Sequence, residues 1–297
     1  MLDRLLVASL PLVPSPVIRR VASRYVAGET LDQALDTVAR LNGEGACATL
    51  DVLGEGVADR QGTSFFVDEY RRAIREIDRR KLDCNVSVKL SAMGLAIDPE
   101  LAYANFGQVA AEAASFSNFV RIDMEDSSLT QATLDLFQRA RRERDNVGIV
   151  LQAYLRRTQG DVARAIAERW SVRICKGIYV EPREIAFESP DLIRRNFAYL
   201  TDRMIAARIP VGIATHDEAM ILEALHSIGR HGADPGDYEF QMLLGVGTAL
   251  RRSLIASGHR LRVYVPYGTA WKAYSMRRLK ENPAIARYVL AGLFRRN

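Results

Sequence analysis

The chain has 297 residues, 48% of them hydrophobic, which is enough for a large core and suits either two ordinary domains or one α/β barrel. Its 41 basic and 36 acidic residues leave a formal charge of +5 spread along the whole length. That spread excludes a basic nucleic-acid-binding tail or stripe and is compatible with an anionic ligand or a lipid surface.

Three cysteines, Cys47, Cys84 and Cys175, lie in apolar, strand-like runs. Their odd number and setting imply reduced, buried thiols and a cytoplasmic protein, and no Cys-x-x-Cys or His-x-x-x-His spacing suggests a metal.

In chain order, the apolar run Leu5 to Val13 is not expected to be a signal peptide: Asp3 sits beside Arg4, and Pro11, Pro14 and Pro16 follow without a small-residue cleavage site. It falls far short of the roughly 20 residues a membrane span needs, so no transmembrane segment is expected there. Thr30 and Gln33 form a capping-box pattern ahead of the stripe Leu31, Ala34, Leu35, Val38 and Leu41, which predicts a helix over 31–42 stopped by Gly43. Residues 1–43 are therefore read as an N-terminal helical extension and 44–297 as the catalytic domain.

From there, short runs rich in Val, Ile and Leu alternate with helix-period segments. Strands are predicted at Ala46–Leu53, Asn85–Leu90, Phe119–Met124, Gly148–Ala153, Val172–Gly177, Pro210–Thr215, Tyr238–Leu244 and Leu261–Val265. Helices are predicted at Ser64–Lys81, from Asp98 and Pro99 onward, after Ser127-Ser128 over Leu129 to Arg142, and at Asp191–Ala207, Glu218–Ile228 and Gly247–Ser257. Gly54–Thr63 is read as a loop. Eight βα units with strands apolar on both faces point to a (β/α)8 barrel of the TIM type. An open doubly wound sheet is the alternative, although no Gly-x-Gly-x-x-Gly follows an early strand.

Active-site groups of such a barrel come from the C-terminal ends of the strands. The runs end in, or are followed by, Glu55, Lys89, Asp123 and Glu125, Gln152, Arg173 and Lys176, Thr215 and His216, Gln241, and Tyr264. Taken singly, Lys89 reads as a surface ammonium, Asp123 as a helix cap and His216 as a satisfied core histidine. Together, in phase with eight strand ends, they point to a shared pocket. Further on, Tyr274 precedes Arg277 and Arg278 by one helical turn, a cluster whose planar, paired donors suit a small carboxylate.

Several blocks carry a family resemblance. Ser-Val-Lys89-Leu-Ser, Arg121-Ile-Asp123-Met124-Glu125-Asp-Ser, Leu-Gln152-Ala-Tyr154, Val-Arg173-Ile-Cys-Lys176-Gly177-Ile178-Tyr179, Ala-Thr215-His216-Asp217, Tyr238-Glu-Phe-Gln241 and Tyr274-Ser-x-Arg277-Arg278-Leu-x-Glu281-Asn resemble proline dehydrogenase, closest to its short monofunctional bacterial members. The resemblance runs from about Leu50 to Pro283. It implies a distorted (β/α)8 barrel with noncovalent FAD, which oxidises L-proline to 1-pyrroline-5-carboxylate by hydride transfer in the first step of proline catabolism to glutamate. It also implies reoxidation by a membrane quinone, with peripheral contact at the inner face of the membrane.

By the same resemblance, Lys89, Arg277 and Arg278 hold the substrate carboxylate, and Tyr179, Tyr264 and Tyr274 wall its ring. Met124, Gln152, Arg173, Lys176, Gly177, Ile178, Thr215 and His216 contact the cofactor, with Gln241 and Glu281 as supports. Asp123 pairs with Lys89 or Arg278, Asp123 and Arg173 are the catalytic candidates, and Glu55 with Arg277 gates the mouth. On the residues alone, a class I aldolase using Lys89 as a Schiff base, a methylenetetrahydrofolate-reductase-like flavin barrel and a noncatalytic binding barrel stay open.

Overall fold

The computed structural model of the chain describes residues 24–54, 56–57 and 59–272. In chain order these form α1 (Leu31–Gly43), β1 (Cys47–Val52), α2 (Arg60–Arg79), β2 (Cys84–Val88), α3 (Pro99–Ser115), β3 (Val120–Ile122), α4 (Ser127–Arg141) and β4 (Val147–Gln152). There follow α5 (Thr158–Ala167), β5 (Val172–Cys175), α6 (Pro190–Ala206), β6 (Val211–Ala214), α7 (Glu218–His231), β7 (Tyr238–Leu243), α8 (Thr248–Ala256) and β8 (Leu261–Tyr267). The eight strands close in sequence order into an all-parallel barrel, and Asp51 lies in register with Ser87 on one side and Pro266 on the other. The barrel expected from the sequence is the one observed, and the open sheet is excluded.

Helix starts follow local chemistry. The Thr30 side chain accepts from the Gln33 backbone N–H, and the Gln33 side chain accepts in return from Thr30, which completes the capping box. Asp98 and Pro99 open α3, Ser189 and Pro190 open α6, and Asp217 caps α7. Two starts differ from the predicted ones by more than one residue. α2 begins at Arg60 rather than Ser64, because Asp59 accepts from the Gly62 N–H, and α4 begins at Ser127, because Asp126 is its cap. α1 packs against β1 and β8, closing the outer ring where those two strands meet.

The strands are buried on both sides, but their two faces differ. Ala48, Leu50, Val86, Val88, Val120, Ile122, Ile149, Val172, Ile174, Val211, Ile213, Val263 and Val265 are buried in the hydrophobic core beneath the helices. Most of the alternate positions are polar or glycine. Thr49, Asp51, Ser87, Arg121, Asp123, Gln152, Arg173, Gln241 and Arg262 are buried, and Glu239 is half-buried. Side chains of β5 and β2, or of β8 and β3, bond each other, and strands that are not neighbours can meet only through the lumen. The sequence expectation of runs apolar on both faces is therefore corrected: period-2 alternation sends the polar set inward.

Two glycines make room for this filling. A Cβ on Gly148 would lie 2.3 Å from Arg121 Nη1, and one on Gly212 would lie 2.4 Å from Gln241 Nε2. Deep in the lumen, Arg262 binds Glu239 through Nε at 2.7 Å and Nη2 at 3.1 Å and donates to the Ala48 carbonyl at 2.6 Å. Burial alone would raise the Glu239 pKa, but the charges of Arg262 and Arg121 and the donors of Arg262 and Gln241 lower it from 4.5 to about 2.

Because the folded pKa is depressed, the stabilisation by Glu239 is present above the unfolded pKa and lost as pH falls through the folded one. Glu239→Gln leaves a buried guanidinium without its counter-charge and is expected to cost about 3–5 kcal/mol at pH 7. Urea unfolding of both proteins at pH 7 and pH 3 checks this. The gap should narrow at the lower pH, and a gap independent of pH contradicts the assignment.

Candidate active site

Arg173 on β5 organises the C-terminal half of the lumen. Its Nη1 donates to Asp123 Oδ1 at 2.7 Å, its Nη2 donates to Ser87 Oγ at 3.1 Å, and its Nε donates to Gln241 Oε1. Gln241 in turn donates through Nε2 to Glu239 Oε1 at 2.6 Å, so the deeper ion pair fixes which way the amide points. Tyr264 on β8 donates to Asp123 Oδ2 at 2.7 Å, and its ring lies 5.5 Å from the Arg173 guanidinium carbon. Asp123 is thus held on both oxygens.

Lys89, just beyond β2, sits 2.5 Å from Asp51 Oδ1 and 3.4 Å from the Tyr264 hydroxyl. Burial alone would lower the Lys89 pKa, but Asp51, Asp123 and Glu125 together raise it. A raised pKa keeps the ammonium charged at neutral pH, which suits an anion-holding role and disfavours the nucleophilic amine of a Schiff-base lyase. The expected pairing of Asp123 with Lys89 is corrected: Asp123 pairs with Arg173, and the counter-ion of Lys89 is Asp51. Arg278, the other expected partner of Asp123, lies outside the described residues.

Above this layer the strand ends carry the remaining candidates. Gln152 ends β4, and its side-chain Oε1 is buried with no hydrogen-bond partner in the structure. Met124 follows β3 and is buried. Thr215 accepts from the Asp217 N–H at 3.1 Å, and His216 Nε2 accepts from the Leu243 N–H at 2.8 Å, which fixes the tautomer of a neutral ring as Nδ1–H. Lys176 is exposed with its Nζ 3.7 Å from Asp217 Oδ2, and Gly177 at φ +103° lies against the Tyr154 ring. Ile178 is exposed and Tyr179 half-buried on the same β5–α6 loop.

That loop is tied to its neighbours. Glu181 accepts from the Ser127 N–H at 2.7 Å and from the Ser127 hydroxyl at 2.5 Å, so it caps α4 from a distance of 54 residues in sequence. Leu155 bridges to Ala186, and the Phe187 N–H donates to the Tyr154 carbonyl at 2.8 Å. The clamp joins the segment carrying Lys176 to Tyr179 to the segment carrying Asp123 and Met124.

The structure therefore brings together Lys89, Asp123, Arg173, Gln241 and Tyr264 in one hydrogen-bonded network, with Gln152, Met124, Thr215, His216, Lys176, Gly177, Ile178 and Tyr179 on adjacent strand ends and loops. Glu55, Tyr274, Arg277, Arg278 and Glu281 lie outside the described residues. Sequence reading missed Asp51, Ser87, Glu239 and Glu181. The first three sit at lumen positions of their strands, and the polar alternation Thr49–Asp51 and Glu239–Gln241 was the available signal. Among the described residues no three of His, Cys, Asp and Glu form a group that could hold a metal ion, and no helix is long and apolar enough to cross a membrane.

A cofactor with hydrogen-bonding ring edges and a diphosphate fits these residues. Gln152 offers an unused buried acceptor whose amide also carries donors, Arg173 a fixed cation, Lys176 an exposed one, and Gly177 a backbone position without a side chain.

The family model described as proline dehydrogenase matches residues 34–290. Proline dehydrogenase 1 of Bacillus subtilis subsp. natto is 36% identical over 275 residues, covering 93% of this chain and 91% of that protein. Proline dehydrogenase of Deinococcus radiodurans is 34% identical over 280 residues, covering 93% and 90%. Among solved structures, proline utilization A from Bdellovibrio bacteriovorus inactivated by N-propargylglycine superimposes with a TM-score of 0.83 at 21% identity. The match covers 89% of this chain, which spans 33% of that longer one, and it supports the barrel fold.

Proposed function

The chain belongs to the proline dehydrogenase family, and from that membership we propose that it oxidises L-proline to 1-pyrroline-5-carboxylate using noncovalently bound FAD, with a membrane quinone as the final electron acceptor. The observation that carries the reading is the single network of Lys89, Asp123, Arg173, Gln241 and Tyr264 at the C-terminal mouth of the barrel, beside the orphaned acceptor of Gln152. Gln152, Arg173, Lys176, Gly177, Thr215 and His216 would hold the cofactor, which when bound supplies the hydride acceptor. A cytoplasmic enzyme in peripheral contact with the inner face of the membrane is the setting this reading requires.

The chain's own residues divide the remaining work. The charged Lys89 ammonium attracts the substrate carboxylate, and by the family resemblance Arg277 and Arg278 would share that task. Tyr264 and Tyr179 wall the ring. Arg173 keeps a positive charge beside the place where negative charge collects as hydride leaves the substrate, and Asp123 with Gln241 prevents that charge from swinging away.

The protein should purify yellow, and acid precipitation should release all of the flavin to the supernatant. Anaerobic L-proline should bleach the flavin band. Colour retained on the pellet contradicts noncovalent binding, and a flavin that proline does not bleach contradicts the reaction.

A further inference from the structure

Asp51 is fully buried on β1, 38 residues from Lys89 in sequence and 2.5 Å from it in space. Its Oδ1 faces the Lys89 ammonium, while its Oδ2 is buried without a hydrogen-bond partner in the structure. The nearby Tyr70 hydroxyl donates to the Ser87 carbonyl at 2.7 Å and accepts from the Val52 N–H at 3.1 Å, and it stands 3.5 Å from Asp51 Oδ1. The Asp51 carboxylate thus faces the Lys89 ammonium directly, with the Tyr70 and Tyr264 hydroxyls beside it.

The other carboxylates acting on Lys89 have stronger claims elsewhere. Asp123 is bound by Arg173 at 2.7 Å and by Tyr264 at 2.7 Å, and Glu125 accepts from the Ser91 N–H at 2.9 Å and the Ser91 hydroxyl at 2.5 Å. Asp51 is thus the direct counter-charge of Lys89 among the described residues.

We propose that Asp51 is a positioning residue of this site: it holds the Lys89 ammonium aimed into the mouth and charged, so that Lys89 can receive the substrate carboxylate, while Asp51 itself stays out of the substrate's reach. The proposal rests on the reading of Lys89 as a carboxylate holder. Its physical content is a pH dependence. A buried lysine that loses its nearest counter-charge gives up its proton below the ordinary value of about 10.4, and the remaining charges of Asp123 and Glu125 limit the fall. Asp51, Asp123 and Glu125 are the carboxylates that face Lys89, Arg173 stands behind Asp123, and Tyr264 and Tyr70 are the phenols of the cluster; burial raises the Asp51 pKa and the Lys89 charge works against that rise. Burial and the Asp51 charge both push the Tyr70 pKa upward, so Tyr70 stays protonated over the range used below.

The probe is cyclopentanecarboxylate, which keeps the five-membered ring and the carboxylate of proline but has no nitrogen to oxidise. Binding to the flavin-loaded enzyme is measured by calorimetry at pH 6.5 and pH 9. The parent protein should bind with nearly equal affinity at both. Lys89→Met should weaken binding at least tenfold at both. Asp51→Asn should bind within threefold of the parent at pH 6.5 and weaken roughly tenfold for each pH unit above the new lysine pKa, because only the ammonium form attracts the anion. With L-proline as substrate, the same variant should show the pH-dependent change in KM rather than in kcat.

If Lys89→Met binds as the parent does, the reading of Lys89 is wrong and the proposal falls with it. If Lys89→Met weakens binding but Asp51→Asn matches the parent at both pH values, only the proposal falls. Should Asp51→Asn not fold, the double variant Asp51→Asn with Lys89→Met removes both buried charges and keeps the test alive. It should bind as Lys89→Met alone does, and a further tenfold loss would show that Asp51 acts other than through Lys89, overturning the proposal.

Discussion

Arg173→Met is expected to slow flavin reduction by proline a hundredfold or more while the proline dissociation constant changes severalfold at most. A preorganised charge aimed at developing negative charge is worth about 2.7–4 kcal/mol in comparable sites, and its loss appears in the chemical step rather than in binding. Three bonded neighbours, Asp123, Gln241 and Ser87, fix this guanidinium, so the parent enzyme has little to reorganise during the reaction.

The substitution also leaves Asp123 buried without its cation, and a structural fault must be separated from a lost charge. Adding Asp123→Asn to Arg173→Met removes that fault and should restore thermal stability without restoring the rate. Arg173→Lys should recover part of the rate, because a single ammonium cannot make all three contacts of the planar fork. Stopped-flow reduction across proline concentrations separates rate from affinity. If the rate returns with the double substitution, Arg173 is only a structural partner of Asp123.

How much of this was legible beforehand follows from the range of each interaction. Eight strands were readable because each is a short apolar run bounded by polar or glycine residues, and most helices because Thr30, Asp98, Asp217 and their like cap them. α5 was not, since Arg157 at its start makes no side-chain cap and Gly160 falls in its first turn.

The strand-end candidates were visible one by one, but their pairing was not. Lys89 and Asp51 are 38 residues apart, Arg173 and Asp123 50, Arg173 and Gln241 68, and Tyr264 and Asp123 141. Closure of the barrel decides those meetings, and no local pattern encodes it. The polar lumen was missed for a related reason. An isolated residue such as Ser87 looks incidental within an apolar strand until closure sets it against Arg173.

Gly177→Ala is the second substitution with a large expected effect, and it tests the cofactor reading at a position that carries no charge. At φ +103° an alanine is strained, and its Cβ would fall 2.1 Å from Tyr154 Cδ1, inside the ring's contact distance. Either the Tyr154 ring or the Lys176–Tyr179 segment must move. Tyr154 is buried, with Leu155 and Ala186 packed in one cluster, whereas Lys176 and Ile178 are exposed, so the loop is the part expected to yield.

Its far end is pinned to Ser127 by Glu181, which confines the displacement to the residues assigned to the cofactor. The expected protein is folded, with an unfolding midpoint a few degrees below the parent when both are stripped of flavin, yet it retains less than a tenth of the parent's flavin after gel filtration. Removing the clamp with Glu181→Gln should ease the same loss, because a freed loop can absorb the extra methyl group. Full flavin retention by Gly177→Ala would mean that this loop does not lie against the cofactor, and the assignment of Lys176, Gly177 and Ile178 would have to be withdrawn.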